Sequence, residues 1–259
     1  MYRGFNVAVP DDCFGGYEED GRRILYDQKN QVGAAIESFM DATGAIAGSD
    51  LLEDWFPMID GDVFISHSHR DSDLAIRFAG FLKFELGLEA FVDSGVWGYA
   101  NSLLKSLDNK YCVNEGKGTY NYEKRNKSTS HVHMMLSTAL AKMIDKCECI
   151  FFLNTPAAIS SADDINGSTT DSPWLYAELL MTSLLRRQLR RRHVELAKKA
   201  VTEDAALPIT YKVDLGHLAS IGPAELKAWS KEAKLARVSQ SNALDYLYRI
   251  APMTTKSLA

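Results

Sequence analysis

The chain has 259 residues, of which 46% are hydrophobic and 24% charged, with a formal net charge of −5. Such a chain forms one or two packed domains and buries roughly three quarters of the surface that its unfolded form exposes, so disorder as the main state is excluded and no disulfide or metal staple is needed. The acidic balance excludes a nucleic-acid binder that works through bulk positive charge.

In chain order, residues 1–59 open on a stretch containing Gly, Asp and Pro. They then show helical periodicity through Leu25, Val32, Ala35, Ile36 and Phe39, with a second apolar group at Leu51, Leu52, Trp55 and Phe56; this predicts an accessory helical segment. Asp62 to Ser66 is a short β-rich run, and Asp71 or Ser72 caps a helix carrying Leu74, Ile76, Phe78, Phe81 and Leu82. Leu88 to Val92 is a second predicted strand. A connection over 94–130 follows, with a short helix at Asn101 to Leu107 and then a polar stretch; a loop this long is usually functional or disordered. Met134 to Ile144 reads as a helix and Cys149 to Leu153 as a nearly pure apolar strand, suited to the buried centre of a parallel sheet. Pro173 to Gln188 is a helix, Leu207 to Val213 a strand, and Pro223 to Arg249 terminal helix. Alternating strands and helices imply βαβ units and an open parallel sheet. No internal repeat or low-complexity tract is visible.

The cysteines, Cys13, Cys112, Cys147 and Cys149, lack the spacing of a secreted disulfide framework, which fits a reducing cytoplasm. Met1 to Pro10 has no signal-peptide pattern, and no segment reaches the roughly 18 uninterrupted apolar residues of a membrane span. A soluble cytoplasmic protein with neither membrane nor nucleic-acid partner is expected.

In an open parallel sheet, ligands bind outside the carboxyl ends of the strands, near the switch point. The segments placed there are Ser66-His67-Ser68-His69-Arg70-Asp71, Asp93 to Trp97, and Asn154-Thr155-Pro156 leading towards Ser172 to Glu178. Four blocks, Asp62 to Asp71, Ala90 to Asp93, Cys149 to Leu153 and Ser172-Pro-Trp-Leu-Tyr-Ala-Glu178, stand in the order and setting of the bacterial TIR (Toll/interleukin-1 receptor) domain, which residues 60–215 resemble. The last block is similar to the Ser-x-Trp-x-x-x-Glu segment that carries the catalytic glutamate of NAD-cleaving TIR enzymes. The resemblance implies a flavodoxin-like fold with a five-stranded parallel sheet, NAD glycohydrolase or cyclase activity with Glu178 as the catalytic residue, and self-association through TIR–TIR contacts. It also implies a role in antiphage defence, with an effector protein that reads the product. The chain departs from the family pattern in its long insertion at 94–130 and its extension at 1–59, and residues 216–259 form a C-terminal helical segment.

The residues themselves give Glu178 a second argument. On a helix, Trp174, Glu178, Met181 and Leu185 form one stripe, where a carboxylate is out of place; the plainer alternative is a glutamate at the stripe's edge, reaching water. One carboxylate suffices for this chemistry, because nicotinamide in NAD is already a cationic leaving group. The demand falls on the oxocarbenium-like ribose, which a carboxylate stabilises. NAD is then a substrate, and neither cofactor nor metal is expected. Ser66, His67, Ser68 and Arg70 are placed either to cradle phosphate oxygens or to serve as loop and cap residues. Trp97 either stacks on a ring of the substrate or packs the long connection. Asp93 is better placed to fix its loop than to touch ligand, and Trp174 is either core or ligand wall.

Two alternatives compete. A non-catalytic TIR adaptor would act by assembly alone. His67-Ser-His-Arg-Asp71 also matches most of the His-x-His-x-Asp-His metal motif of metallo-β-lactamase-like hydrolases, but Ser72 replaces its last histidine and residues 20–56 look helical rather than β. His131-Val-His133 and Cys147-Glu-Cys149 invite a zinc reading, which their expected helix and strand settings oppose because the paired side chains diverge. The run Arg186 to Arg192 matches the negative end of its helix dipole, or contacts a partner.

Overall fold

The computed structural model describes residues 3–29, 46–92, 94–114, 116, 118–161, 168–185, 211–235 and 240–252, with 29, 94–99, 161 and 240–242 described in backbone only. The chain divides into two compact units: Met1–Ile24, Asp60–Val92 and Ile144–Ala259 form the first, and Leu25–Ile59 with Asp93–Met143 the second.

The first unit is an α/β fold around a five-stranded parallel sheet. Its strands are β1 (Arg3–Val7), β2 (Val63–Ser66), β3 (Ala90–Val92), β4 (Cys149–Leu153) and β8 (Ala219–Ile221), in the order β3-β2-β4-β1-β8. Counted from β2, this is the flavodoxin-like order, with β1 in the fourth place. Three short strands, β5 (Ser160–Ser161), β6 (Ser168–Thr170) and β7 (Tyr211–Lys212), make a separate antiparallel sheet. Every residue of β4 is buried, as its unbroken apolar sequence requires. Phe151 at its centre stacks on Phe5 of β1 at 5.5 Å and meets Phe78 edge-on at 5.2 Å.

The expected helical extension at 1–59 does contain α1 (Glu18–Lys29) and α2 (Gly48–Trp55), but its first residues are a strand inside the sheet. Arg3 stands at the start of that strand with only 4% of its surface exposed. Its guanidinium donates to the carbonyls of Tyr248 and Ala251 at the end of α8 (Gln240–Ile250), where helix carbonyls lack internal donors. The expected strand at 207–213 is corrected as well: residues 207–210 lie outside the described residues, and Tyr211–Lys212 belongs to the small antiparallel sheet.

Helix α3 (Ser72–Leu86) follows β2 and buries Leu74, Phe78, Phe81 and Leu82. It stops where Gly87 takes a left-handed conformation, with Leu88 N–H bonded to the Leu82 carbonyl and Gly87 N–H to that of Lys83. A β-carbon at Gly80 would lie 2.1 Å from the Tyr17 carbonyl, so glycine is what allows the chain before α1 to approach α3. Helix α7 (Pro223–Leu235) fixes fully buried Trp229, whose indole N–H donates to Ala243 O at 2.7 Å.

In the second unit, the predicted long loop at 94–130 is mostly helix: α4 (Ser94–Leu107), a π turn (Asp108–Cys112), and the first turns of α5 (Tyr122–Lys146). A tight reversal joins them, with Val113 bridged to Tyr120 and Asn121 N–H donating to Cys112 O at 2.6 Å. Asp108, 3% exposed, receives Ser128 Oγ–H at 2.5 Å and Arg125 Nε–H at 2.9 Å, locking the turn to α5. Among the described residues, no helix is long and apolar enough to cross a membrane.

Candidate active site at the carboxyl end of the sheet

The chain runs from β2 outward to β3 and then returns to the other side of β2 as β4, so the switch point lies between β2 and β4. Their register puts Ser66, the last residue of β2, opposite Phe152. The segments that follow these strands are tied together: Thr155, just beyond β4, donates its hydroxyl to Asp71 at 2.5 Å and accepts the N–H groups of Ala157 and Ala158. Ser68 accepts the N–H of Arg70 and caps the single 3-10 turn His69–Asp71 that leads into α3.

Helix α6 (Pro173–Leu184) crosses this end of the sheet. Its start follows a familiar rule: Ser172 caps it by accepting Leu175 N–H at 3.2 Å, and Pro173, which has no N–H to leave unsatisfied, occupies the first turn. Its buried face is Leu175, Glu178, Leu179 and Thr182, rotated from the expected stripe: Trp174 and Met181 are half-buried. Leu175 and Leu179 pack into a cluster with Phe152, Ala158, Ile159 and Leu218. Glu178 is therefore the carboxylate of a largely apolar face that also carries Thr182, and it is 0% exposed. Ser66, also 0% exposed, donates its hydroxyl to Glu178 Oε2 at 2.6 Å.

The predicted residues are thus distributed unevenly. Ser66 and Glu178 are brought together, and buried His67 follows Ser66 directly. Ser68 is half-buried and Arg70 exposed, and Ser68 caps the His69–Asp71 turn. Trp174 sits on α6 half in solvent. Asp93, the side chain of Trp97 and the arginine run 186–192 lie outside the described residues. His67 is buried while His69 is exposed, so this pair does not converge as metal ligands would. No group of three or more His, Cys, Asp or Glu side chains able to hold a metal ion occurs among the described residues. His131 and His133 lie well inside α5 rather than at a helix start. Burial pushes the Cys147 thiol up to about 12 and that of Cys149 well above its ordinary value, which leaves both as inert thiols of the core.

Sequence reasoning missed three contacts, two of them made by α6. Thr155 lay within a segment singled out for its position, but nothing in its type marked it as the partner of Asp71. His217, whose Nε2 is 2.8 Å from Thr182 Oγ1, belongs to no motif. Tyr176 stacks on Tyr211 with ring centres 4.5 Å apart, joining α6 to the small antiparallel sheet.

Comparison with protein-family models, with curated proteins and with solved structures gives no match for this chain.

Proposed function

We propose that the chain is a TIR-type enzyme that cleaves the nicotinamide–ribose bond of NAD, with Glu178 as its catalytic carboxylate. The observation that carries this reading is the placement of Glu178: a carboxylate held by Ser66 on the apolar face of α6, at the carboxyl end of β2 beside the switch point. In the reaction, the bond between ribose C1′ and the nicotinamide nitrogen breaks, and nicotinamide leaves as a neutral ring with the electron pair. The ribose is left as an oxocarbenium-like cation. Glu178 opposes that developing charge and accepts hydrogen bonds from the ribose hydroxyls, while Ser66 orients its carboxylate. Water adds at C1′ and loses a proton to give ADP-ribose; attack by a nucleophile of the same molecule gives a cyclic product. The product serves as a signal for an effector protein in antiphage defence, and the enzyme works in the cytoplasm.

Burial of Glu178 sets a condition on this reading, because the ribose reaches the carboxylate only when the crevice opens. Self-association, in the manner the TIR resemblance implies, supplies the opening. Specific activity in nicotinamide release should therefore rise with protein concentration, and a constant value from a strict monomer would remove self-association from the proposal.

The same burial favours a second reading, in which the Ser66–Glu178 pair simply pins α6 to β2 in a non-catalytic adaptor. The deciding experiment measures nicotinamide release and the thermal midpoint of the wild-type and Glu178→Gln proteins side by side. Glutamine keeps the acceptor for Ser66, so loss of release from a normally folded variant supports the enzyme. Absence of NAD cleavage by the assembled wild-type protein, with a lowered midpoint in the variant, supports the adaptor.

A further inference from the structure

The second unit holds a cavity of about 540 Å³, within the range of small-molecule sites. Leu51 of α2, Leu107 of α4, Cys112 of the π turn and Met135 of α5 line it, and all four side chains are buried. Its other wall is a stripe along α5, where Lys124, Lys127, Ser128 and His131 recur at helical spacing and share the face of Met135. No carboxylate lines the cavity among the described residues. The nearby buried carboxylate, Asp108, is already taken by Arg125 and Ser128, whereas Lys124 and Lys127 have no ion-pair partner among the described residues. An apolar interior with two unopposed ammonium groups at its exposed margin is complementary to one chemical class.

We infer that this cavity binds a small amphiphile, with its apolar body against Leu51, Leu107 and Met135 and an anionic head, carboxylate or phosphate, between Lys124 and Lys127. Ser128, half-buried between the lysine level and Cys112, sits at the transition from polar margin to apolar interior. The π turn is part of the design: its wider winding brings Cys112 to the cavity wall while Asp108 anchors the turn, and such turns are frequent at functional sites. The inference does not depend on NAD cleavage and concerns a different set of residues.

The test is titration calorimetry of the full chain with octanoate, with octyl phosphate, with octyltrimethylammonium, which has the same tail and the opposite charge, and with acetate, which has the head without the tail. Octanoate or octyl phosphate should bind about tenfold more tightly than the ammonium amphiphile, and acetate should give no saturable heat. The more tightly bound of the two anions identifies the head. The Lys124→Gln/Lys127→Gln variant, altered only at exposed positions and therefore expected to fold, should bind both charges about equally. Leu51→Trp, which fills the interior, should lose binding of every amphiphile while circular dichroism reports an intact fold. Failure of both anions to bind, equal wild-type affinity for anionic and cationic amphiphiles, or a preference unchanged in the lysine variant would overturn the inference.

Discussion

Asp108 and Glu178, two of the buried carboxylates and one from each unit, are held in different ways. Asp108 is anchored by groups 17 and 20 residues away, one of them the Arg125 guanidinium, so its site is complete once the π turn meets α5. Burial alone would raise its carboxyl, but the hydrogen bonds from Ser128, Arg125 and Cys112, together with the Arg125 charge, hold it below the usual carboxylate range. Glu178 is bonded to a hydroxyl 112 residues away, at the carboxyl end of β2 beside the switch point. A carboxylate neutralised locally is a fastening; one presented at the carboxyl end of a parallel sheet by long-range assembly stands where ligands bind.

Glu178→Gln should have the largest effect. If one well-placed electrostatic contact contributes roughly 3–4 kcal/mol in the transition state, nicotinamide release should fall by about 100- to 1000-fold with little change in the thermal midpoint. Near-normal release from a folded variant would make Glu178 a fastening too. Ser66→Ala comes next: the carboxylate stays but loses its orienting donor, so kcat should drop about tenfold and unfolding in urea should show a loss of about 1–2 kcal/mol. Restoration of both by Ser66→Thr would show that the hydroxyl is what matters.

Asp108→Asn should produce the opposite pattern. It removes the charge opposite a half-exposed Arg125, so stability should fall by about 1–2 kcal/mol in a urea titration while nicotinamide release per folded molecule stays unchanged. The smallest effect concerns pH. Because folding lowers the Asp108 carboxyl, its contribution is fully present above the unfolded value of about 4 and is lost as pH falls through the folded value. Midpoints measured from pH 6 down to pH 3 should therefore converge for wild type and Asp108→Asn at the acid end. Curves that stay parallel would mean that the Arg125 contact contributes no charge-dependent stability.

The fold was legible where sequence and burial agree. Cys149–Leu153 is an unbroken apolar run, and the strand has those bounds. Arg3–Val7 escaped because a central strand is expected to be apolar throughout, whereas this one reads Arg, Gly, Phe, Asn and Val, and its arginine donates to carbonyls at the end of α8, far along the chain. Within 94–130 the short helix expected at Asn101 to Leu107 lies inside α4, but the start of α5 escaped for a related reason: its first turns, Tyr122 to Asn126, are exposed and polar and show no periodicity to read. At the candidate site, Glu178 is singled out by the TIR-like Ser172–Glu178 block, with its place among apolar helix residues as a second argument, but its partner could not be read. Ser66 ends a strand in a segment rich in hydroxyls, and only the crossing of α6 over β2 selects it.

The position of β1 has a consequence in time. Arg3 lies opposite Cys149, and Phe5 opposite both Phe151 and Ala219, so β1, made before the other strands of its sheet, has no neighbour in that sheet until more than half of these 259 residues have been added. At synthesis rates of about 5–20 residues per second, that wait is on the order of ten seconds. During it, β2 and β3 can already pair through the short α3 connection, leaving an exposed edge where β4 will add. The nascent protein thus holds two incomplete pieces of one sheet, and β4, which pairs with β1 on one side and β2 on the other, is the segment whose arrival joins them.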